Sequence, residues 1–249
     1  MFPHWDESVA YWEQTLALDP RNTEWLASAA ETYAALRQFP AALKTYDRLL
    51  DIVPNDSDTV AFEARIYQAE GNLEQAGKLL VGVNAQTPSF IAFQSKMDQL
   101  LLERHFDDAI RLIHSRLTES RDLSDIERLF NPFLLVLAQE NAGDIAGARA
   151  TAQQMLRPLE TLSKKDPDNP NFAAGLSRIH AVLGQKDAAI KKLSVRSRCC
   201  QATRMQWMGL PTRRIWRPSR PWSATKTARF QCCSVFWRFR MLTPLRRRF

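Results

Sequence analysis

Cysteine is missing from the first 198 residues; all four, Cys199, Cys200, Cys232 and Cys233, lie near the C-terminus as two vicinal pairs. Vicinal pairs are not the C-x-x-C of zinc or redox sites. The cysteine-free stretch says nothing about redox compartment. Glycine is scarce, with eight in 249 residues, which argues against a glycine-rich loop cradling nucleotide phosphates. No apolar run approaches the roughly 20 residues of a membrane-spanning helix. Met1 leads into a polar, charged segment rather than a signal peptide, so a cytoplasmic location is expected. The four histidines, His4, His105, His114 and His180, are scattered without cysteine or carboxylate at ligand spacing, and no metal or cofactor is expected. No nucleophile elbow, phosphate loop, H-E-x-x-H or kinase signature occurs. Acidic pairs such as Asp107/Asp108 fall at helix starts, where the helix dipole favours negative charge. No catalytic residue is assigned and no enzymatic activity is expected.

The net charge of +7 conceals a division. Residues 195–249 hold 14 Lys/Arg and no acidic residue, so they carry +14, and residues 1–194 carry −7 with all 27 Asp/Glu. Trp207, Trp216, Trp222 and Trp237 also lie in the basic segment. Two unlike compositions are joined.

What is present in the first part is a period. Pro20, Pro54 and Pro88 are spaced 34 apart, as are Ser8, Ala42 and Ala76, and a large apolar residue follows each small one by four: Trp12, Tyr46 and Leu80. Self-similarity at this spacing marks helix–turn–helix units that bury their apolar faces by stacking on neighbours. The clearest copy starts at Asn22. Its first helix carries Leu26, Ala30 and Tyr33 at i, i+4, i+7, and its second carries Phe39, Ala42, Tyr46 and Leu49. Pro54 ends that helix. The next copy runs from Ser57 to Pro88, with Ala64, Tyr67, Gly71, Leu73, Ala76 and Leu80 in matching places. Looser units follow around Leu101–Ile113, Gly143–Ala148 and Gly184–Leu193, and Thr118–Asp125 reads as a longer connection. His180 takes the slot of Tyr33 and Tyr67, which predicts a packing role. Met1 falls inside a unit: the residues up to Asn22 supply only a second helix, with Trp5, Ser8 and Trp12 as its stripe. The start therefore reads as truncated.

Each unit resembles the tetratricopeptide repeat (TPR) over residues 1–193, about five and a half units. The resemblance implies an all-α, right-handed superhelix, an α-α solenoid that binds a protein or peptide in a concave groove lined by first helices. One position after the central small residue points into that groove. Here this gives Glu31, Arg65, Asp98, Leu137 and Arg178, with Gln68 nearby. Their mixed signs do not resemble the basic clamp of chaperone-binding TPRs. The LDPRN-type linkers look like the C-terminal TPR regions of bacterial multidomain sensors with cyclase, kinase or DNA-binding effector domains. No residue of such an effector domain is present, so the chain could be the regulatory part of one.

Residues 194–249 admit three readings. Nucleic-acid binding would use Arg and Lys on phosphates and the tryptophans on bases, yet no recognised motif is present. A disordered basic extension is usually poor in aromatics. The reading adopted is translation out of frame. Shifting the register by one base forces leucine at Cys199–Cys200, aspartate at Trp207–Met208 and glycine at Met208–Gly209. It also permits GDKNRAISVLQRLLAIP over Ser223–Phe239, with glycine and alanine spaced as Gly143 and Ala148 are. The coding DNA decides this: early stops in the shifted frame would refute it.

Overall fold

The computed structural model describes residues 5–119, 123–167 and 169–192. No strand occurs among the described residues. The helices are α1 (Trp5–Leu18), α2 (Thr23–Ala35), α3 (Phe39–Ile52), α4 (Ser57–Glu70), α5 (Leu73–Leu79), α6 (Phe90–Leu102), α7 (Phe106–Glu119), α8 (Asp125–Ala142), α9 (Ile145–Lys165) and α10 (Pro170–Val182), followed by a helical stretch over 186–192. The readings of residues 194–249 fall on residues outside those described.

A short polar side chain begins every first helix. Asn22, Asp56, Ser89, Ser124 and Asn169 precede α2, α4, α6, α8 and α10, and each side chain accepts a hydrogen bond from a backbone N–H two or three residues on. Each cap satisfies a donor that the helix itself leaves without a partner. At α8 the Glu127 carboxylate also accepts the Ser124 N–H at 3.0 Å, closing a capping box.

The same helices end alike. Arg37, Gly71, Arg104, Gly143 and Gly184 all adopt positive φ. The following N–H reaches back five residues in each case: Gln38 to the Tyr33 carbonyl at 2.9 Å, Asn72 to Tyr67 at 2.9 Å, His105 to Leu100 at 2.8 Å, Asp144 to Gln139 at 2.9 Å and Gln185 to His180 at 2.8 Å. This is the Schellman closure, which turns the chain sharply into the second helix. Glycine takes the left-handed conformation freely, whereas arginine carries a Cβ penalty there. Arg104→Gly should therefore raise the unfolding free energy by about 0.5–1 kcal/mol, the relief of strain being partly offset by the greater freedom of glycine in the unfolded chain. Urea denaturation measures this, and an unchanged or lower midpoint would contradict it.

The described chain divides at Leu123/Ser124 into two compact units. In the first, α1 packs on α2, α2 on α3, α3 on α4, α4 on α5 and α6, and α6 on α7. Leu26, Ala29, Ala30 and Tyr33 of α2 meet Ala42, Tyr46 and Leu49 of α3, with Leu16 of α1 buried beside them. Small residues at the crossings let helix axes approach closely, and the aromatic and leucine side chains fill the space between them. Tyr46 stacks on Phe62 of α4 with centroids 5.8 Å apart and planes 7° from parallel. Pro20 and Pro54 follow α1 and α3, and Pro88 precedes the Ser89 cap.

One second helix departs from the pattern. α3 has 14 residues but α5 only seven, although Ala76 and Leu80 keep their buried places. Gly77 and the run Val81-Gly82-Val83 weaken the helix beyond that point, because glycine and β-branched residues lose most on becoming helical. The chain continues as turns, with Asn84 N–H donating to Thr87 Oγ1 at 2.9 Å and Asn84 Oδ1 accepting from Gln86 N–H at 2.9 Å.

In the second unit α8 packs on α9 and α9 on α10. Val136, Ala148, Ala152, Met155, Leu159, Leu176 and Ile179 form its core. Here the repeat lengthens: the caps Ser124 and Asn169 stand 45 apart, because α8 and α9 run to 18 and 21 residues.

Candidate functional site

Four of the expected groove residues lie in the first unit. Glu31 is exposed on α2, and Arg65 is half-buried on α4 with its guanidinium carbon 5.6 Å from the centre of the Phe62 ring. Asp98 is half-buried on α6. Gln68 on α4 is engaged inside the fold: its amide donates to the Ser95 carbonyl at 2.9 Å and to Gln99 Oε1 at 3.0 Å, and Gln99 in turn donates to the Leu73 carbonyl at 2.8 Å. This polar network joins α4, α5 and α6. Leu137 and Arg178 belong to the second unit, on α8 and α10, where Arg178 is ion-paired with Glu140.

The glutamine network marks an asymmetry along the first helices. α4 packs directly on α6, but α2 and α4 are not a packed pair. Between α2 and α4, with α3 as floor, the first unit opens a cleft of about 360 Å³. Glu24 and Ala27 line it from α2, Tyr46, Leu49 and Val53 from α3 and its end, and Asp56, Asp58, Thr59 and Phe62 from the start of α4. Asp56 Oδ2 accepts the Thr59 N–H at 2.9 Å and the Thr59 hydroxyl at 2.6 Å, and Asp58 accepts the Ser89 hydroxyl.

Deeper along the same helices a small set of charges converges on Tyr46. Burial raises the pKa of the Tyr46 hydroxyl, and Glu31 and Glu63 add to the rise while Arg65 opposes it. Although Glu31 is exposed, partial desolvation of its carboxyl against the neighbouring helices raises its pKa, and Arg65 opposes the rise. Glu63, 7% exposed on α4, is pushed up to about 7, chiefly by burial and secondarily by the Asp47 carboxylate. Its Oε1 finds no hydrogen-bond partner among the described residues.

Sequence reasoning missed Glu63 and Arg116. Glu63 stands 34 residues after Ala29, which is fully buried. Arg116 follows Ala109 and Ile113 in the i, i+4, i+7 stripe that Ala42, Tyr46 and Leu49 occupy in α3. A charge in a buried slot was the available signal. His180 is buried, with Nδ1 2.7 Å from Gln185 Oε1. Among the described residues no group of His, Cys, Asp and Glu is placed to hold a metal ion, and no helix is long and apolar enough to cross a membrane.

Repeated capped helix pairs, each closed by the same turn and stacked on its neighbours within a unit, define an α-helical repeat protein. Residues 4–66 match the tetratricopeptide repeat family, and the described helix pairs share the fold of solved TPR proteins. A TPR protein from Parabacteroides merdae is similar in structure, with a TM-score of 0.57 and 16% identity over 83% of this chain and 76% of that one. The type IV pilus biogenesis factor PilW gives 0.53 and 16% identity over 84% and 88%. A chain of the APC/C hetero-tetramer Cut9–Hcn1 gives 0.53 and 13% identity over 83% of this chain and 39% of that one. At these identities the likeness is one of fold. No curated protein sequence matches the chain.

Proposed function

We propose that the protein is a non-catalytic scaffold that binds a protein or peptide segment across the exposed faces of its first helices. The observation that carries this reading is the opening between α2 and α4, an apolar-floored cleft presented by the repeat itself, with Glu31 exposed on α2 and Arg65 along α4. Stacked helix pairs offer such surfaces without any moving part. The partner lies along them as a helix or an extended segment. The similar Cut9–Hcn1 chain belongs to a hetero-tetramer, which favours a protein partner over a small molecule.

Binding of the full-length chain to a random peptide array tests the reading. Glu31→Lys, a change at an exposed position on α2, should weaken binding of the selected peptides by about tenfold, a loss near 1.4 kcal/mol. Circular dichroism establishes that the variant is folded. Peptides bound equally by wild type, Glu31→Lys and Arg65→Ala would refute it.

A further inference from the structure

We propose that the cleft between α2, α3 and α4 receives a cationic side chain flanked by an apolar one, so that the partner segment is a basic, amphipathic peptide. This rests on the scaffold reading and adds the chemistry of the partner. The lining supplies three carboxylates, Glu24, Asp56 and Asp58, and no Lys or Arg. Among the described residues, the donors to Asp56 and Asp58 are a backbone N–H and two hydroxyls. Neutral donors orient these carboxylates, and the N-terminus of α4 offsets their charge only in part. Glu24 is exposed, and no ion pair among the described residues involves it.

The floor is apolar: Leu49, Val53 and Phe62, with Val53 43% exposed. Apolar walls lower the local dielectric and focus the field of the carboxylates, so a cation gains more here than on an open surface. They also match the alkyl stem of a lysine or arginine, whose charged head stays at the polar rim. The volume of about 360 Å³ suits one long side chain and its neighbour. An acidic segment would set like charges together, which costs several kcal/mol. A metal ion is a poor alternative, because the carboxylates are not grouped to ligate one.

The test is fluorescence anisotropy of the full-length protein with three labelled peptides: alternating Lys and Leu, the same with Glu for Lys, and the same with Gln for Lys. The Lys/Leu peptide should bind, and its affinity should fall as salt rises from ~50 to ~300 mM. Glu24→Lys and Val53→Lys should each weaken it about tenfold, whereas Asp187→Lys in the second unit should leave it unchanged. Equal binding of the Gln or Glu peptide would overturn the inference, as would indifference to Glu24→Lys or no binding of the Lys peptide. In each of those outcomes, array peptides that still depend on Glu31 would leave the scaffold reading standing.

Discussion

Arg116→Ala is expected to lower the stability of the first unit by about 3–5 kcal/mol, the range that follows removal of one partner from a buried, hydrogen-bonded charge. Arg116 is 2% exposed on α7. Its Nη1 donates to the Ala85 carbonyl at 3.0 Å and to the Thr87 carbonyl at 2.8 Å, and its guanidinium carbon lies 4.2 Å from the centre of the Phe93 ring. Those carbonyls belong to the turns that replace the second half of α5, where no helix supplies backbone partners. The arginine thus fastens a segment that the sequence cannot hold as helix. Truncation would strand both carbonyls and remove a desolvated cation–π contact. Arg116→Lys should recover only part of the loss, because an ammonium lacks the flat guanidinium that lies over the Phe93 ring while donating to the carbonyls. Equilibrium denaturation gives the magnitude, and hydrogen exchange should show the greatest loss of protection around residues 81–88. A decrease under about 1 kcal/mol would show that the arginine is a surface charge in practice.

The second large effect depends on pH. Glu63 has a folded-state pKa of about 7 against an ordinary value of 4.5, because burial penalises its ionised form and Asp47 adds to the penalty. Between these values the folded state holds a proton that the unfolded chain has released. Stability therefore falls as pH rises from about 4.5 to 7 and is level above that. Solvent screening reduces the full linkage to about 1–2 kcal/mol. Glu63→Gln keeps the shape and removes the titration. The variant should match wild type near pH 5 and exceed it by about that amount at pH 8. A weaker slope should remain, since Glu31 is raised in the same direction. Thermal unfolding across this range decides the matter; parallel curves for the two proteins would rule out Glu63 as the source.

Much of the first unit was legible in the sequence, for identifiable reasons. The 34-residue spacing of prolines and the small–apolar pairs located α2, α3 and α4. Asn22, Asp56 and Ser89 are capping residue types standing immediately before first helices. The candidate groove was less legible. Gln68, expected at the surface, is bonded to Ser95 and Gln99 because α6 packs directly on α4. The six expected residues are shared between two units, four in one and two in the other.

The sequence by itself determined the helix pairs and their buried stripes, because each depends on residues within one turn or one repeat of each other. Periodicity is local physics, and a single chain records it fully. Only the tertiary structure decided which first helices pack on each other and that Arg116 and Glu63 are buried. Those outcomes depend on contacts between elements about 30 residues apart, such as Arg116 with Ala85. A charged side chain reads as exposed until the neighbour that covers it is in place.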